Sequence, residues 1–326
     1  MNIKVGIIGG SGYTAGELLR LLIHHPNVEL NFVFSTTNAG KLIYDQHPDL
    51  VGETTLKFTD KINPEVDVLF LCLGHGRSKS FLETYNFSET TKIIDLGNDF
   101  RLDKDQNFQN RDFVYGLPEL QKQKIKSAQN IANPGCFATA IQIGLLPLAN
   151  AGKLNNAVHI NATTGSTGAG VMPGGTTHFS WRDNNFSSYK VFTHQHLDEI
   201  EQSIKRLQTD FDTPIFFIPN RGNFSKGIYA TMYTQYNDSE KDAIQLFKKF
   251  YDNAEFTVVS DSEIHLKQVV NTNKCVLHIC KKNNMLLVTS VIDNLIKGAS
   301  GQAIHNMNLM FGLNEKTGLA LKASAF

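Results

Sequence analysis

The chain has 326 residues and is therefore long enough for two domains with separate cores. Its composition, 41% hydrophobic and 19% charged, is ordinary for a globular enzyme. Its 31 basic and 31 acidic residues give a formal net charge of zero, which argues against a partnership with nucleic acid or an anionic membrane. The four cysteines form no CxxC pair, and the first residues have the pattern of a strand and not of a secretion signal. We therefore expect a reduced, cytoplasmic protein.

The amino-terminal segment predicts one βαβ unit. Residues 3–8 form an apolar run typical of a buried strand, residues 14–23 carry apolar side chains at helical spacing, and residues 28–35 are predicted to form a second strand. Such a crossover implies that the two strands pair in parallel. Further buried strands are predicted at 66–73, 93–96 and 130–132. Residues 1–135 should therefore form a Rossmann-type domain with a parallel sheet and bind a dinucleotide.

The pattern changes after a helix predicted at 137–149. Strands separated by long loops replace the βα alternation, which predicts an α+β domain over residues 136–297 with a mixed or antiparallel sheet. The predicted strands are 158–163, 214–218, 227–236, 268–270, 275–280 and 285–292, and the predicted helices are 241–251 and 299–311. Residues 298–326 would form a helical segment that returns to the first domain. The predicted fold class is thus α/β.

A glycine-rich turn joins the first predicted strand to the first helix. It contains Gly10, Gly12 and Ala15, which fit the G-x-G-x-x-G/A pattern of dinucleotide-binding proteins. Glycine permits the tight turn and lets main-chain N–H groups approach a pyrophosphate at the helix N-terminus. The alternative is a glycine turn that serves packing alone. We expect cofactor binding here through Gly9, Gly10, Ser11, Gly12, Tyr13 and Thr14.

The end of the second strand bears on the choice of cofactor. NAD-specific sites place an acidic residue there, which bonds the ribose 2′-hydroxyl. This chain has Ser35, Thr36 and Thr37 instead, with Lys41 close by along the chain. Hydroxyl groups and a lysine suit a 2′-phosphate, so the sequence favours NADP over NAD.

Cys136 follows Asn133-Pro134-Gly135 and stands at the start of a predicted helix. A thiol in this position is a candidate nucleophile, because the helix dipole and the free N–H groups stabilise its thiolate. The alternative is a small buried apolar residue. That is our interpretation of Cys72, Cys275 and Cys280, whose spacing suits neither zinc nor redox chemistry.

His194 and His196 lie two residues apart, and Glu199 follows them. A nucleophilic thiol needs a proton acceptor, and histidine titrates near neutral pH, with the carboxylate in place to orient one ring. The same three side chains form a plausible zinc set, but no second ligand cluster accompanies them, so we expect no metal. A third interpretation is a polar cap on the helix that continues through Ile200 and Ile204.

Ordered blocks of the sequence resemble the N-acetyl-γ-glutamyl-phosphate reductase family of arginine biosynthesis over nearly the whole chain. The most specific blocks are Pro134-Gly135-Cys136 and His194-x-His196-x-x-Glu199. The other blocks are residues 9–18, 75–76, 95–101, 115–119 and 293–299. This family is similar in fold and chemistry to aspartate-semialdehyde dehydrogenase and, more distantly, to glyceraldehyde-3-phosphate dehydrogenase.

The resemblance implies a role for each matching residue. Cys136 would be the nucleophile that forms a thioester, His196 its base, and Arg101 the group that holds the phosphoryl oxygens. The remaining implied substrate contacts are Asn133, His194, Glu199 and Ser166. The remaining implied cofactor contacts are Gly74, His75, Asn294 and Gly298.

The implied reaction is the NADPH-dependent reduction of an N-acetyl- or other N-acyl-γ-glutamyl phosphate to the semialdehyde, with release of phosphate. The implied partners are this small acyl phosphate and further copies of the chain, as a dimer or tetramer. One alternative is a reductase for a related acyl phosphate, such as aspartyl or aminoadipyl phosphate. Another is a non-catalytic NADP-binding regulatory protein, against which the intact Cys136 and His196 pair argues.

Overall fold

The computed structural model describes residues 2–172 and 174–324 and divides into two compact units. The first unit comprises Met1–Pro134 and Ala299–Ala320, and the second comprises Gly135–Gly298 and Leu321–Phe326. In the described part of the chain, no helix is both long and apolar enough to cross a membrane.

A seven-stranded sheet forms the centre of the first unit. Its strands are β1 (Ile3–Ile8), β2 (Val28–Phe34), β3 (Val68–Leu71), β4 (Lys92–Asp95), β5 (Asn107–Phe108), β6 (Arg111–Tyr115) and β7 (Asn130–Ala132). They lie in the order β2-β1-β3-β4-β7-β6-β5, and every pair is parallel except β5 with β6. The predicted Rossmann-type parallel sheet is therefore confirmed.

Four helices of the first unit follow its strands along the chain: α1 (Tyr13–Leu22), α2 (Ile43–Gln46), α3 (Ser78–Thr84) and α4 (Pro118–Ser127). α1 buries the apolar side chains that its sequence spacing predicts, including Leu18, Leu19 and Leu22. The side chains of β3 are buried throughout, as expected for a parallel strand covered on both faces.

The second unit has its own seven-stranded sheet. Its strands are β8 (Val158–Thr164), β9 (Ser187–Ser188), β10 (Ile215–Arg221), β11 (Ile228–Gln235), β12 (Thr257–Ser260), β13 (Cys275–Lys282) and β14 (Met285–Ile292). The order is β12-β13-β14-β11-β8-β10-β9, with parallel pairing only for β12 with β13 and β8 with β10. This is the mixed sheet that the sequence predicts.

The helices of the second unit are α5 (Cys136–Asn150), α6 (Phe179–Arg182), α7 (His196–Leu207) and α8 (Glu240–Phe250). Every residue of α5 from Phe137 to Ala149 is buried, because it packs against α7 on one side and against β11 and β14 on another. After β14 a short π-helix (Ile296–Ser300) leads into α9 (Gly301–Met310), which belongs to the first unit and packs against α1 and α4.

One predicted strand is wrong and several elements were not predicted. Residues 268–270 were expected to be a strand, but Leu266–Gln268 form a 3-10 helix, in which the Gln268 side chain accepts a hydrogen bond from the His265 N–H at 3.0 Å. The parallel partner of β13 is instead β12, which the sequence analysis missed, as it missed β6 and α4. Short apolar runs do not distinguish strands from other elements by periodicity alone.

Candidate active site

The glycine turn after β1 has three glycines with different duties. Gly9 has φ +78°, and a Cβ there would lie 2.5 Å from the Cys72 carbonyl oxygen. A Cβ on Gly10 would lie 2.4 Å from Val33. Gly12 has φ −85° and no atom within 4 Å of an ideal Cβ, so the packing of the protein does not require glycine there. Glycine at this position fits the close approach of a ligand to the backbone.

The same turn presents main-chain donors at the N-terminus of α1. Among the described residues, the N–H groups of Gly12, Tyr13 and Thr14 have no hydrogen-bond partner, and no side chain caps the helix. The carbonyl groups of the turn face other partners, since His47 Nε2 lies 2.7 Å from the Gly10 oxygen and Gln46 donates to the Ser11 oxygen at 3.4 Å. Free N–H groups and the helix dipole suit a pyrophosphate.

The carboxyl ends of β2 and β3 complete this edge of the first sheet, because both strands pair with β1. After β2, Ser35 is buried with its Oγ 3.4 Å from the Thr37 Oγ1, while Thr36 and Thr37 are exposed and Lys41 donates to Asn38 at 3.2 Å. After β3, Gly74 has φ +80° and open space around an ideal Cβ, and His75 is exposed. Dinucleotides bind outside the carboxyl ends of parallel strands.

Asp95, the last residue of β4, is fully buried. Its Oδ1 accepts hydrogen bonds from the Ser78 hydroxyl at 2.6 Å and the Gly97 N–H at 3.0 Å, while its Oδ2 has no partner among the described residues. Burial raises the pKa of Asp95 to about 6, and the bonds from Ser78 and Gly97 and the charge of Arg101 partly offset that rise. Asp95 therefore carries a proton more readily than an ordinary aspartate.

Arg101 is buried and holds main-chain groups of the first unit. Its Nε donates to the Asn133 carbonyl at 2.9 Å and its Nη2 to the Leu96 carbonyl at 3.1 Å. Asn133 is held further by its side chain, which donates to the Ala299 carbonyl at 3.0 Å and accepts from Asn306 at 3.1 Å. Arg101 is thus brought to Asn133, which precedes Cys136 by three residues along the chain.

Cys136 is the first residue of α5, as the sequence predicts. The preceding Gly135 donates its N–H to the Glu199 Oε2 at 3.0 Å, a buried bond that ties the turn to α7. An ideal Cβ on Gly135 would lie 2.3 Å from the His196 Nε2, so the imidazole occupies the space directly over this glycine. The His196 Nε2 is also 3.9 Å from the Glu199 Oε1. An imidazole and a carboxylate therefore lie against Gly135, the residue that directly precedes the candidate nucleophile.

His194 packs beside His196, with ring centroids 4.6 Å apart. Its Nδ1 accepts a hydrogen bond from the His196 N–H at 3.2 Å, which in a neutral ring assigns the proton to the other nitrogen. Phe137 borders both imidazoles, with centroids at 5.5 and 6.3 Å. This apolar border limits how far either ring can move.

Tyr189 is a site residue that the sequence analysis missed. Its ring lies 5.8 Å from that of His194. Burial raises the pKa of Tyr189 to about 12, the nearby Cys136 acts in the same direction, and Arg221 opposes the rise. The phenol is therefore neutral near neutral pH and can donate a hydrogen bond. No motif marks Tyr189, and its proximity to Cys136 arises from tertiary structure alone.

The glycine-rich loop after β8 begins with Gly165 and a 3-10 helix, Ser166–Ala169. Ser166 donates its N–H to the Phe224 carbonyl at 2.9 Å. Asn294 supports the loop, because its Nδ2 donates to Thr167 at 3.1 Å and its Oδ1 accepts the Gly227 N–H at 2.6 Å. The described contacts of Asn294 thus hold two loops of the second unit together.

Gly298 packs directly on the candidate nucleophile. An ideal Cβ on Gly298 would lie 2.8 Å from the Cys136 Cβ and 3.2 Å from its Cα, so a larger residue does not fit without displacement.

A metal site is the alternative interpretation of the two histidines and Glu199. Among the residues that the structure describes, no group of three or more His, Cys, Asp or Glu side chains is arranged to hold a metal ion. His194 and Glu199 each accept a hydrogen bond from a main-chain N–H, and the His196 imidazole lies 3.9 Å from the Glu199 carboxylate.

Comparison with known proteins gives family matches to both halves of the chain. Residues 4–128 match the family described as semialdehyde dehydrogenase, NAD binding domain, and residues 136–294 match semialdehyde dehydrogenase, dimerisation domain. Among solved structures, aspartate semialdehyde dehydrogenase II from Vibrio cholerae covers 96% of this chain and 99% of its own, with a TM-score of 0.71 and 14% identity. That likeness concerns the fold alone.

Two relatives show a closer relationship. The N-acetyl-γ-glutamyl-phosphate reductase of Flavobacterium johnsoniae is 61% identical over 324 residues, which cover 99% of this chain and 100% of the relative. The protein of the same name from Phocaeicola vulgatus is 54% identical over 325 residues, with the same coverage of both chains. Full-length identity at this level, together with the two matched domains, shows that the chain belongs to the N-acetyl-γ-glutamyl-phosphate reductase family of the semialdehyde dehydrogenases.

Proposed function

We propose that this chain reduces an N-acyl-γ-glutamyl phosphate to the N-acyl-glutamate semialdehyde through a thioester on Cys136, with NADPH as reductant, in arginine biosynthesis. The observation that carries the proposal is the arrangement around Gly135. The His196 imidazole lies over this glycine, Glu199 accepts its N–H, and Cys136 follows it at the start of α5. The names of the full-length relatives support the same substrate.

The first proposed step is attack of the Cys136 sulfur on the acyl carbon of the substrate. His196 takes the thiol proton, the S–C bond forms, and the bond from carbon to the phosphoryl oxygen breaks, so that phosphate leaves. The thiolate is stabilised by the N-terminus of α5, because Cys136 is the first residue of this helix. Glu199 holds the Gly135 turn and the His196 ring in place relative to each other. Its carboxylate accepts the Gly135 N–H and lies close to the His196 ring.

When bound, the reduced nicotinamide supplies the hydride that converts the thioester to a thiohemiacetal. Residues of this chain then regenerate the free Cys136 thiol. His196, protonated in the first step, protonates the departing sulfur as the C–S bond breaks, and the aldehyde leaves. The neutral Tyr189 phenol is a candidate donor to negative charge that develops near the sulfur. The sum is one acyl phosphate, one hydride and one proton converted to aldehyde and phosphate.

The remaining site residues have proposed roles that follow from their contacts. Arg101 is the proposed cation for the phosphoryl group, and it holds Asn133 ahead of the nucleophile. The proposed substrate contacts also include His194, which lies just before α7, Glu199 within α7, and Ser166 in the loop after β8. Asn294 and Gly298 support these groups. Asn294 donates a hydrogen bond to the loop after β8, and Gly298 packs on Cys136.

NADP is the proposed cofactor, held at the carboxyl ends of β1, β2 and β3. Gly12 leaves open space where a Cβ would stand, and the donors of α1 suit the pyrophosphate. The exposed Thr36, Thr37 and Lys41 after β2 would receive the 2′-phosphate. The family match to an NAD binding domain supports a nicotinamide cofactor in general.

We also propose that the chain forms a homo-oligomer, a dimer or tetramer, through the second unit. The match to a dimerisation domain supports this. Phe216, Tyr229 and Tyr233 are 37–40% exposed on the second sheet, where His159 stacks on Phe216 and Tyr233 at 5.1 and 5.0 Å. Sedimentation equilibrium would give the number of copies.

We propose a cytoplasmic location as well, which is supported by four free cysteines.

The decisive experiment traps the thioester. The enzyme is mixed with N-acetyl-γ-glutamyl phosphate without reductant, and peptide mapping by mass spectrometry locates the acyl group. We expect the group on Cys136, and none after Cys136→Ser. Cys72 and Cys280 are internal controls, because burial raises the pKa of both thiols, that of Cys72 to about 12. Acylation elsewhere, or full turnover by Cys136→Ser, would refute the mechanism.

A further inference from the structure

Two neighbouring arginines of the second unit have no acidic partner. Within residues 2–172 and 174–324, no carboxylate forms an ion pair with Arg182 or Arg221. Arg182 is buried and donates to the carbonyls of Thr176, Asn185 and Arg221 and to the Ser187 hydroxyl. Burial and, second, the charge of Arg221 lower the pKa of Arg182. Buried charges are normally paired, and the described residues supply no charge of opposite sign here.

Arg221 is the member of this pair that is available to a ligand. Its guanidinium carbon lies 4.7 Å over the Tyr189 ring, which fixes the plane of the group from below. It is half-buried, and its Nε is buried without a hydrogen-bond partner among the described residues. Arg182 fixes the backbone at the same point through a 2.7 Å bond to the Arg221 carbonyl. The group is therefore pre-positioned and is not a freely moving surface arginine.

The position of Arg221 relates it to the candidate active site. It is the last residue of β10 and pairs with Thr164, the residue before the glycine-rich loop that carries Ser166. Tyr189, on which it stacks, has its ring centroid 5.8 Å from that of His194, which in turn lies 4.6 Å from that of His196. Arg221 is thus linked to the histidines of the candidate site through the Tyr189 ring.

An acyl-glutamyl chain carries a free carboxylate at a distance from the carbon that reacts. In this substrate the phosphoryl group is attached to the carbon that Cys136 attacks, whereas three carbons separate that carbon from the α-carboxylate. A planar guanidinium pairs with a carboxylate through two parallel hydrogen bonds. We propose that Arg221 recognises a carboxylate of the substrate, an assignment that rests on the proposed function. The carboxylate belongs either to the glutamyl moiety or to the acyl group.

The test compares three aldehydes in the phosphate-dependent reduction of NADP. N-acetylglutamate γ-semialdehyde carries the α-carboxylate, 4-acetamidobutanal lacks it, and a semialdehyde whose acyl group ends in a carboxylate carries a second one. For the wild type we expect the carboxylate that Arg221 binds to raise kcat/KM by roughly 10–100-fold, the effect of a charge-assisted hydrogen bond. Arg221→Met should abolish that preference, so that kcat/KM falls most for the aldehyde that carries the bound carboxylate and least for the aldehyde that lacks it.

The matched control is Arg206→Met, at the opposite end of α7 from His196, which should keep the wild-type preference. Loss of preference for the α-carboxylate identifies the glutamyl source, and loss for the second carboxylate identifies the acyl source. An equal fall on all three aldehydes, or no fall, would overturn the assignment. If Arg221→Met does not fold, Arg221→Lys should lose part of the same preference, and no change would again overturn it. An inactive wild type would instead refute the proposed function, and the assignment with it.

Discussion

Gly135→Ala should uncouple His196 from Cys136 although neither residue is replaced. Gly135 has φ −68° and ψ 151°, a conformation open to any residue, so alanine causes no backbone strain there. The conflict is steric. The new Cβ would stand 2.3 Å from the His196 Nε2 and 2.7 Å from both adjacent ring carbons. Glycine is therefore required at this position because the imidazole lies over it.

The size of the effect follows from the displacement. A normal contact needs about 3.4 Å, so the ring must recede by about 1 Å. It cannot do so freely, because His196 is buried, His194 is 4.6 Å away and Phe137 borders both rings. A misplacement of about 1 Å costs about 10²-fold in rate when geometry governs proton transfer. Overpacking should also lower the free energy of unfolding by about 1–3 kcal/mol.

The assay is phosphate-dependent reduction of NADP by N-acetylglutamate γ-semialdehyde, with NADPH binding followed by fluorescence. We expect kcat to fall about 10²-fold while the Kd for NADPH is unchanged. Gly175→Ala is the matched control, because no atom lies within 4 Å of an ideal Cβ there. That variant should keep wild-type kcat.

A Gly135→Ala enzyme with wild-type kcat would refute this reasoning, since it would mean that the imidazole position does not govern turnover. Loss of NADPH binding along with kcat would point instead to a general disturbance of the fold. The melting temperature of each variant, measured in the same buffer, distinguishes the two cases.

Two further predictions concern the first unit. Burial raises the pKa of Asp95 from 3.8 to about 6, so the folded state holds this proton more tightly and the wild type loses that stabilisation as pH rises from about 4 to about 6. Urea unfolding should therefore show Asp95→Asn gaining on the wild type by about 2 kcal/mol between about pH 4 and about pH 7, and a pH-independent difference would contradict the raised pKa. Thr37→Asp should raise the KM for NADP at least about tenfold by repelling the 2′-phosphate and improve use of NAD, whereas the uncharged Thr37→Asn should not; equal use of NAD and NADP by the wild type would remove the basis of this prediction.

Much of the fold was predictable because it depends on short-range patterns. The turn with Gly10 and Gly12 follows an apolar run and precedes a helical stripe, and all three signals lie close together in the chain. The start of α5 at Cys136 follows similarly from a Pro-Gly turn before an apolar helix. The change from regular βα alternation to strands with long loops predicted the parallel and the mixed sheet.

The errors and omissions fall where local signals are weak. The segment near Gln268 has too few residues for periodicity to separate a strand from a 3-10 turn. The charged start of β6 obscures its alternation, and Arg111 in that strand is stabilised by bonds to Asn130 and Thr91, which lie elsewhere in the chain. Asn294 shows the same limit at the site, because its bonds to Thr167 and Gly227 depend on loops distant in sequence.

The sequence by itself determined the family resemblance, the two sheet types and the candidate nucleophile and base, because each is encoded in a contiguous block or a local period. Only the tertiary structure decided that Gly12 faces open space while Gly9 and Gly10 serve packing, since that difference depends on atoms of other strands. It also decided the positions of Tyr189 and Arg221. Pairing of β9 with β10 brings these two side chains together, and hydrogen bonds between strands have no signature in the spacing of either residue.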